Sequence, residues 1–114
     1  MSLLLNKEYL AFLLLAFCST SAALDVSAYE EMKQDAKSVL ELYMQGVGQG
    51  YLWSNVIIKQ RGHKALYCPP ENIVLNAQNY ISITDKAIEN WSGLPVSETP
   101  IGLILYHGLI ETFP

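Results

Sequence analysis

Two adjacent prolines, Pro69 and Pro70, divide this chain into stretches that cannot share a helix. Neither proline carries an amide donor and each ring fixes its own φ, while Pro69 pushes Cys68 out of helical geometry. Tyr67-Cys68-Pro69-Pro70 is therefore expected to be extended, rigid and external to any helix. On both sides of it the apolar residues recur at helical spacing, so the fold class follows from what the prolines separate.

Before the prolines, Tyr29, Met32, Ala36, Val39, Leu40, Tyr43, Val47, Tyr51, Ser54 and Ile58 step by three or four, which predicts one helical face from Ser27 to about Gln60. Ser27 is the expected N-cap, with Glu30 placed as in a capping box. Gly46, Gly48 and Gly50 fall inside this stretch, and glycine in a helix interior costs about 1 kcal/mol relative to alanine. Either two helices meet there, or one helix keeps its glycines so that a neighbour can approach. We adopt the second reading, a helix with a close-packed or kinked midpoint. Arg61-Gly62 supplies a glycine stop, and residues 64–75 form a connector.

After the prolines, Asn76 caps a segment predicted to run to about Trp91. Tyr80, Thr84, Ala87, Ile88 and Trp91 share one side, and Asp85, Lys86, Glu89 and Asn90 face away. Gly93 and Pro95 stop it. A last helix begins near Ser97 or Thr99, with Pro100 tolerated in its first turn. Ile101 to Ile110 is apolar nearly all round, so this helix is expected at the buried centre, with His107 as a core histidine. A buried strand is the alternative for so short a run, but no hairpin signal or second alternating segment accompanies it. The prediction is an all-α, small single-domain bundle of about four helices with a Cys-Pro-Pro connector.

Residues 1–23 read as a signal peptide, which leaves 24–114 as the domain. Lys7 provides positive charge, Tyr9 to Phe17 is an unbroken apolar run of nine residues, and Ser21-Ala22-Ala23 offers a cleavage site after Ala23. Nine residues fall well short of the roughly 20 that span a bilayer, so no membrane span is expected after cleavage. Cys18 loosely matches a lipidation box, but bulky Phe17 stands where a small residue is preferred. The expected location is periplasmic or secreted. The net charge is −4, and an acidic domain lacks the basic stripe that nucleic acid requires.

The residues offer no catalytic constellation. Cys68, the one cysteine outside the leader, has His63 five residues away and His107 far along the chain, and no spacing brings either within reach as a base. No His or Cys pair has metal-ligand spacing, so no metal or other cofactor is expected. The expectation is a binding protein, not an enzyme. Its candidate contact residues are Trp53, Tyr67, Pro69, Pro70 and Glu71, because exposed aromatics and a stiff loop are what docking surfaces use.

Tyr43-Met44-Gln45-Gly46-Val47, Tyr67-Cys68-Pro69-Pro70, a helix containing Tyr80, and an apolar helix closing on Phe113-Pro114 together resemble the Rap/Tai family. These are the immunity proteins of type VI secretion amidase effectors, and the likeness covers about residues 39–114. The resemblance implies a small exported helical domain, often a homodimer, that occludes the active site of a peptidoglycan amidase. It also implies that Cys68 is structural. Family members commonly pair it with a cysteine just after the final Phe-Pro, whereas the sequence given stops at Pro114 and offers Cys68 no such partner, so either it is truncated at its end or this branch folds without the bridge. Some relatives carry a further cysteine before their glycine that is absent here. A second reading from size and composition is a periplasmic stress or acid chaperone-like binding protein.

Overall fold

The computed structural model describes residues 23–93 and 95–114. Apart from Ala23, the expected signal peptide lies outside the described residues, and so does Cys18. Among the described residues there are four α-helices and no strands: α1 Val26–Asp35, α2 Lys37–Gln60, α3 Ala77–Glu89 and α4 Ile101–Thr112. A short 3-10 turn, Val96–Glu98, precedes α4. No described helix is long and apolar enough to cross a membrane. The all-α bundle of four helices is therefore as expected.

The first helical stretch differs from its prediction in two ways. Its cap is Asp25, whose carboxylate accepts from the Ala28 amide at 2.8 Å, two residues before the expected Ser27. It also breaks at Ala36 (φ −146°, ψ 52°), whereas the glycine segment continues unbroken in α2. No helix breaker stands at Ala36, and the cause is tertiary. The start of α1 is tied to the start of α4, with the Val26 amide donating to Thr99 and the Ile101 amide donating to Leu24 at 3.1 and 2.8 Å. Farther along α1, the Tyr29 hydroxyl donates to the Asp85 carboxylate of α3 at 2.7 Å, and Lys33 Nζ donates to the same oxygen at 3.0 Å. These ties fix α1 to residues of α3 and to the approach to α4, and the chain changes course at Ala36 before α2 begins. Asp85 thus faces α1, not solvent as its place in the pattern suggested.

The other boundaries match their local chemistry. Gly62 adopts φ +83°, and amides of Gly62 and His63 close on Lys59 and Ile58 at 3.0 and 3.1 Å, a glycine C-terminal motif in which only a residue tolerant of positive φ fits. Asn76 caps α3 reciprocally with Asn79, each side chain accepting from the other's amide at 2.9 Å.

The core comprises Tyr29, Leu40, Met44, Tyr67, Tyr80 and, from α4, Ile101, Ile104, Leu105 and Leu109, with Val26 and Ala87 at its margin. Helix α3 lies between α2 and α4 because each neighbour presents a glycine to it. A Cβ on Gly48 would run into the ring of buried Tyr80, and one on Gly108 would stand 2.7 Å from Ile83 Cγ2 and 3.1 Å from the Ile83 carbonyl. Helix α4 is not buried all round. Leu103 and His107 are exposed, and His107 lies 3.9 Å from Glu111 with its ring edge-on to Trp91. The expectation of a core histidine fails because α3 and Tyr51 of α2 cover other parts of α4, and the side that carries His107 is left open.

The buried face of α2 only partly matches its prediction. Leu40 is in the core and Val47 and Tyr51 pack against it as expected, but Met44, Gly48 and Asn55 are buried as well, while Val39, Tyr43 and Ser54 are exposed. Two apolar faces coexist on this helix, and periodicity does not say which one meets the core.

Gly48→Ala and Gly108→Ala are each expected to lower stability by about 1–3 kcal/mol through overpacking, despite the roughly 1 kcal/mol that alanine gains in helix propensity. A lower urea midpoint at unchanged slope would show it. Alkaline pH tests the buried tyrosines. Burial, then the hydrogen bond and charge of Asp85, raise the Tyr29 phenol far above its usual range. Burial also raises Tyr51 and Tyr80, and pushes Tyr67 up to about 12. Burial lowers the Lys33 ammonium, but Asp85 and Glu30 outweigh it and the net shift is upward. Above about pH 10 the unfolded chain releases protons that the folded chain keeps, so stability falls as pH rises. A urea midpoint that is flat up to about pH 9 and drops beyond 10 is the expected result.

Candidate functional site

The connector between α2 and α3 is irregular backbone, so its amides and carbonyls need partners outside any ladder. Asn55, buried on α2, provides two of them. Its Oδ1 accepts from the Leu66 amide at 2.6 Å and its Nδ2 donates to the Tyr67 carbonyl at 2.7 Å. One residue on, the Cys68 amide donates to the Phe113 carbonyl at 2.8 Å, which ties the connector to the end of α4. Between these ties the Tyr67 ring enters the core at 1% exposure. The connector is therefore held at its N-terminal end by three hydrogen bonds and one buried ring.

Beyond Cys68 the backbone turns outward. Pro69 is half-buried, while Pro70 and Glu71 are exposed. The Ile73 amide closes on the Pro70 carbonyl at 3.2 Å, which makes a turn. Ile73 and Val74 then stand in solvent, with Val74 at 88% exposure. Pro69, Ile73, Val74 and Leu75 roof a depression over Gln49, Leu52 and Tyr80, with a volume of about 110 Å³. That is too small for most organic ligands, whose sites run to about 300–1,000 Å³.

The candidate residues thus separate. Pro70 and Glu71 are on the exposed turn, with Pro69 at its base. Trp53 is exposed on α2, one residue from Leu52 at the edge of the same depression. Tyr67 does not belong with them, because a ring buried in the core cannot present itself to a partner. Cys68 is exposed and forms no disulfide among the described residues. Ile73 and Val74, exposed on the same turn, were not among the expected residues, although two large aliphatics in an aperiodic stretch flanked by Pro70 and Asn76 are a readable signal. Asn55 was missed as well. A polar residue on the buried side of an apolar helix is that signal, but it became visible only when the true core face was known.

The two described histidines and Cys68 lie apart from one another in the chain and on different elements. Among the described residues no three His, Cys, Asp or Glu side chains converge as a metal ion would require. His63 is exposed at the end of α2 and His107 lies on α4 with Glu111. A shallow open groove of about 310 Å³ runs along the α3–α4 contact, lined by Ile83, Lys86, Ala87, Gly108, Glu111 and Thr112. Its only charged groups, Lys86 and Glu111, are both exposed.

Asn55→Ala leaves the Leu66 amide and Tyr67 carbonyl without partners and is expected to cost about 2–4 kcal/mol. Asn55→Asp keeps the acceptor but places a carboxylate against the Tyr67 carbonyl, so it should not rescue. Faster hydrogen exchange at the Leu66 amide in Asn55→Ala would show the connector loosening ahead of global unfolding. Comparison of the chain with family models, curated proteins and solved structures finds no match.

Proposed function

We propose that this chain is an exported immunity-type protein that binds a type VI secretion peptidoglycan amidase and blocks its active site, acting by binding and without chemistry of its own. The observation that carries this reading is the buttressed turn at Pro69–Val74. A loop that must enter another protein's cleft loses affinity in proportion to the freedom it gives up on binding. Here two prolines and the Asn55 and Phe113 ties have already removed much of that freedom. The turn then offers two exposed aliphatics beside a carboxylate, an apolar anchor with a polar rim.

A second observation supports the partner's identity. The motifs that carry the resemblance to the Rap/Tai family, Cys68-Pro69-Pro70 and Phe113-Pro114, are far apart in the chain and meet through the Cys68–Phe113 hydrogen bond. A likeness in two distant motifs has more weight when the fold makes them one unit. On this reading residues 1–23 direct the chain to the periplasm, where the amidase acts, and residues 24–114 remain as the inhibitor.

The test is co-expression with a type VI peptidoglycan amidase, taken from beside this chain's gene if one is encoded there, followed by measured binding and inhibition. The wild-type protein should protect cells from the periplasmic amidase. Val74→Asp and Ile73→Asp, both at exposed positions, should weaken binding about 10–100-fold, which corresponds to roughly 1.4–2.7 kcal/mol, with an unchanged thermal midpoint. No binding by the wild-type protein would sink the proposal, and unchanged affinity in both variants would remove the turn from it.

A further inference from the structure

We propose that the outward face of α2 docks on an anionic lipid bilayer, with the C-terminal half of the helix the deeper. The proposal begins from residues the core does not use. Val39, Leu42, Tyr43, Trp53 and Ile57 are 60%, 76%, 39%, 61% and 48% exposed. At 100° per residue they fall with Gly46 and Gly50 into a single stripe along the helix, about 27 Å long. No charged residue lies in it, because Lys37, Glu41 and Lys59 project from the opposite arc of the helix wheel. The five large side chains hold roughly 500–600 Å² open, at the top of the range for the largest patch on a monomer, and such patches mark protein or membrane contacts.

Charge narrows the choice of occupant. The chain carries −4 overall, yet residues 42–70 contain Lys59, Arg61 and Lys64 and no Asp or Glu. These three cations and His63 are exposed at the C-terminal end of α2 and beyond it. None of the three cations forms an ion pair among the described residues. Arg61 is in line with the stripe. Its amide still closes on the Ile57 carbonyl at 3.0 Å, so Trp53, Ile57 and Arg61 step by four along one side of the helix. The other end of the stripe has exposed Asp35 before it and Glu41 behind it. The stripe therefore ends in uncompensated positive charge at its C-terminal end alone, and a negative surface draws that end in first.

An uncharged line of aliphatics and aromatics that ends in arginine matches the layers of a bilayer surface. Leu42 and Ile57 enter the acyl boundary, while Tyr43 and Trp53, each an apolar ring with one polar atom, sit at headgroup level. Arg61 and Lys64 have the reach to set their charged ends among the phosphates. No described helix is long and apolar enough to cross a membrane, so the contact is with the surface of one leaflet. An acidic protein fits less well. The face of a helix is convex and offers no groove to a peptide, and the stripe falls short of the roughly 800 Å² that each side of a stable protein interface buries. A bilayer sets no such minimum, because binding scales with the apolar area immersed and the basic charge beside it.

Co-sedimentation of the chain with vesicles, purified as the expressing cell processes it, is the test. The wild-type protein should pellet with phosphatidylcholine vesicles containing about one-third phosphatidylglycerol, and bind pure phosphatidylcholine at least about tenfold more weakly. Salt at about 0.5 M should remove most of that difference. Gly50→Glu sets a carboxylate in mid-stripe, where a side chain has free space, and should weaken binding about tenfold or more with unchanged helical circular dichroism. Arg61→Glu combined with Lys64→Glu should erase the preference for phosphatidylglycerol. Trp91→Phe leaves Trp53 as the one tryptophan, and its emission should move to the blue on binding. No pelleting with the anionic vesicles, which is the result if the face belongs to an acidic protein, would overturn the proposal. So would equal binding to both lipids, binding that survives Gly50→Glu, or a Trp53 emission that does not move. No amidase is present, so the outcome is independent of the amidase measurement.

Discussion

Helix α3 holds this structure together because its neighbours on both sides come close through glycine. Gly48 of α2 receives the Tyr80 ring, and Gly108 of α4 receives Ile83 and Ala87. Each contact puts side-chain atoms where a Cβ would otherwise stand, so neither helix can slide or rotate without a collision. Packing at native density is unforgiving of such shifts. The remainder of the architecture follows from where α3 is fixed. Its outer edge offers Asp85 to Tyr29 and Lys33, which sets the course of α1 and ends it at Ala36. Its N-cap, Asn76, sets the point at which the connector must rejoin the bundle.

The polar ties show a division of labour. Those of α1 are side-chain bonds between helices, and they orient an element that already has its own hydrogen bonds. Those of Asn55 serve backbone that has none. A buried amide left unpaired costs more than a hydrogen bond gains, so one asparagine with both functional ends used is an efficient anchor for an irregular segment. It holds residues 66 and 67 in the bundle, and the prolines that follow carry the chain out of it.

Much of this was legible in the residues, and the failures share a cause. The caps at Asn76 and Gly62, the proline break and the four-helix count are local facts, because each depends on a few neighbouring residues and their torsions. The break at Ala36 and the exposure of His107 were not legible, since both arise from which elements pack where. The face of α2 is the clearest case. Val39 and Tyr43 step at helical spacing as well as Leu40 and Met44 do, and both sets are apolar. Periodicity identifies a face and cannot rank two of them. Near the candidate site, the departure of Pro69, Pro70 and Glu71 from any helix was readable because proline cannot continue one, whereas the half-burial of Pro69 was not. Tyr67 was misread as a contact residue because only the tertiary fold shows its ring turning inward.

Two rigid features of different kinds therefore lie on opposite sides of one depression. The turn at Pro69–Val74 is stiff because its backbone is restrained, and the stripe on α2 is stiff because it belongs to a long helix pinned at Gly48. A helix face is straight and suits a surface that is flat along its length. A projecting turn suits a concave partner, such as the cleft of an enzyme. Apolar exposure on both features has a cost, since such patches favour aggregation in a protein that leaves them open. Their chemistry differs as well. The stripe carries no charge along its length and gains most from equally uncharged surroundings, while the turn sets Glu71 beside its aliphatics and so favours a cleft with a donor near its mouth.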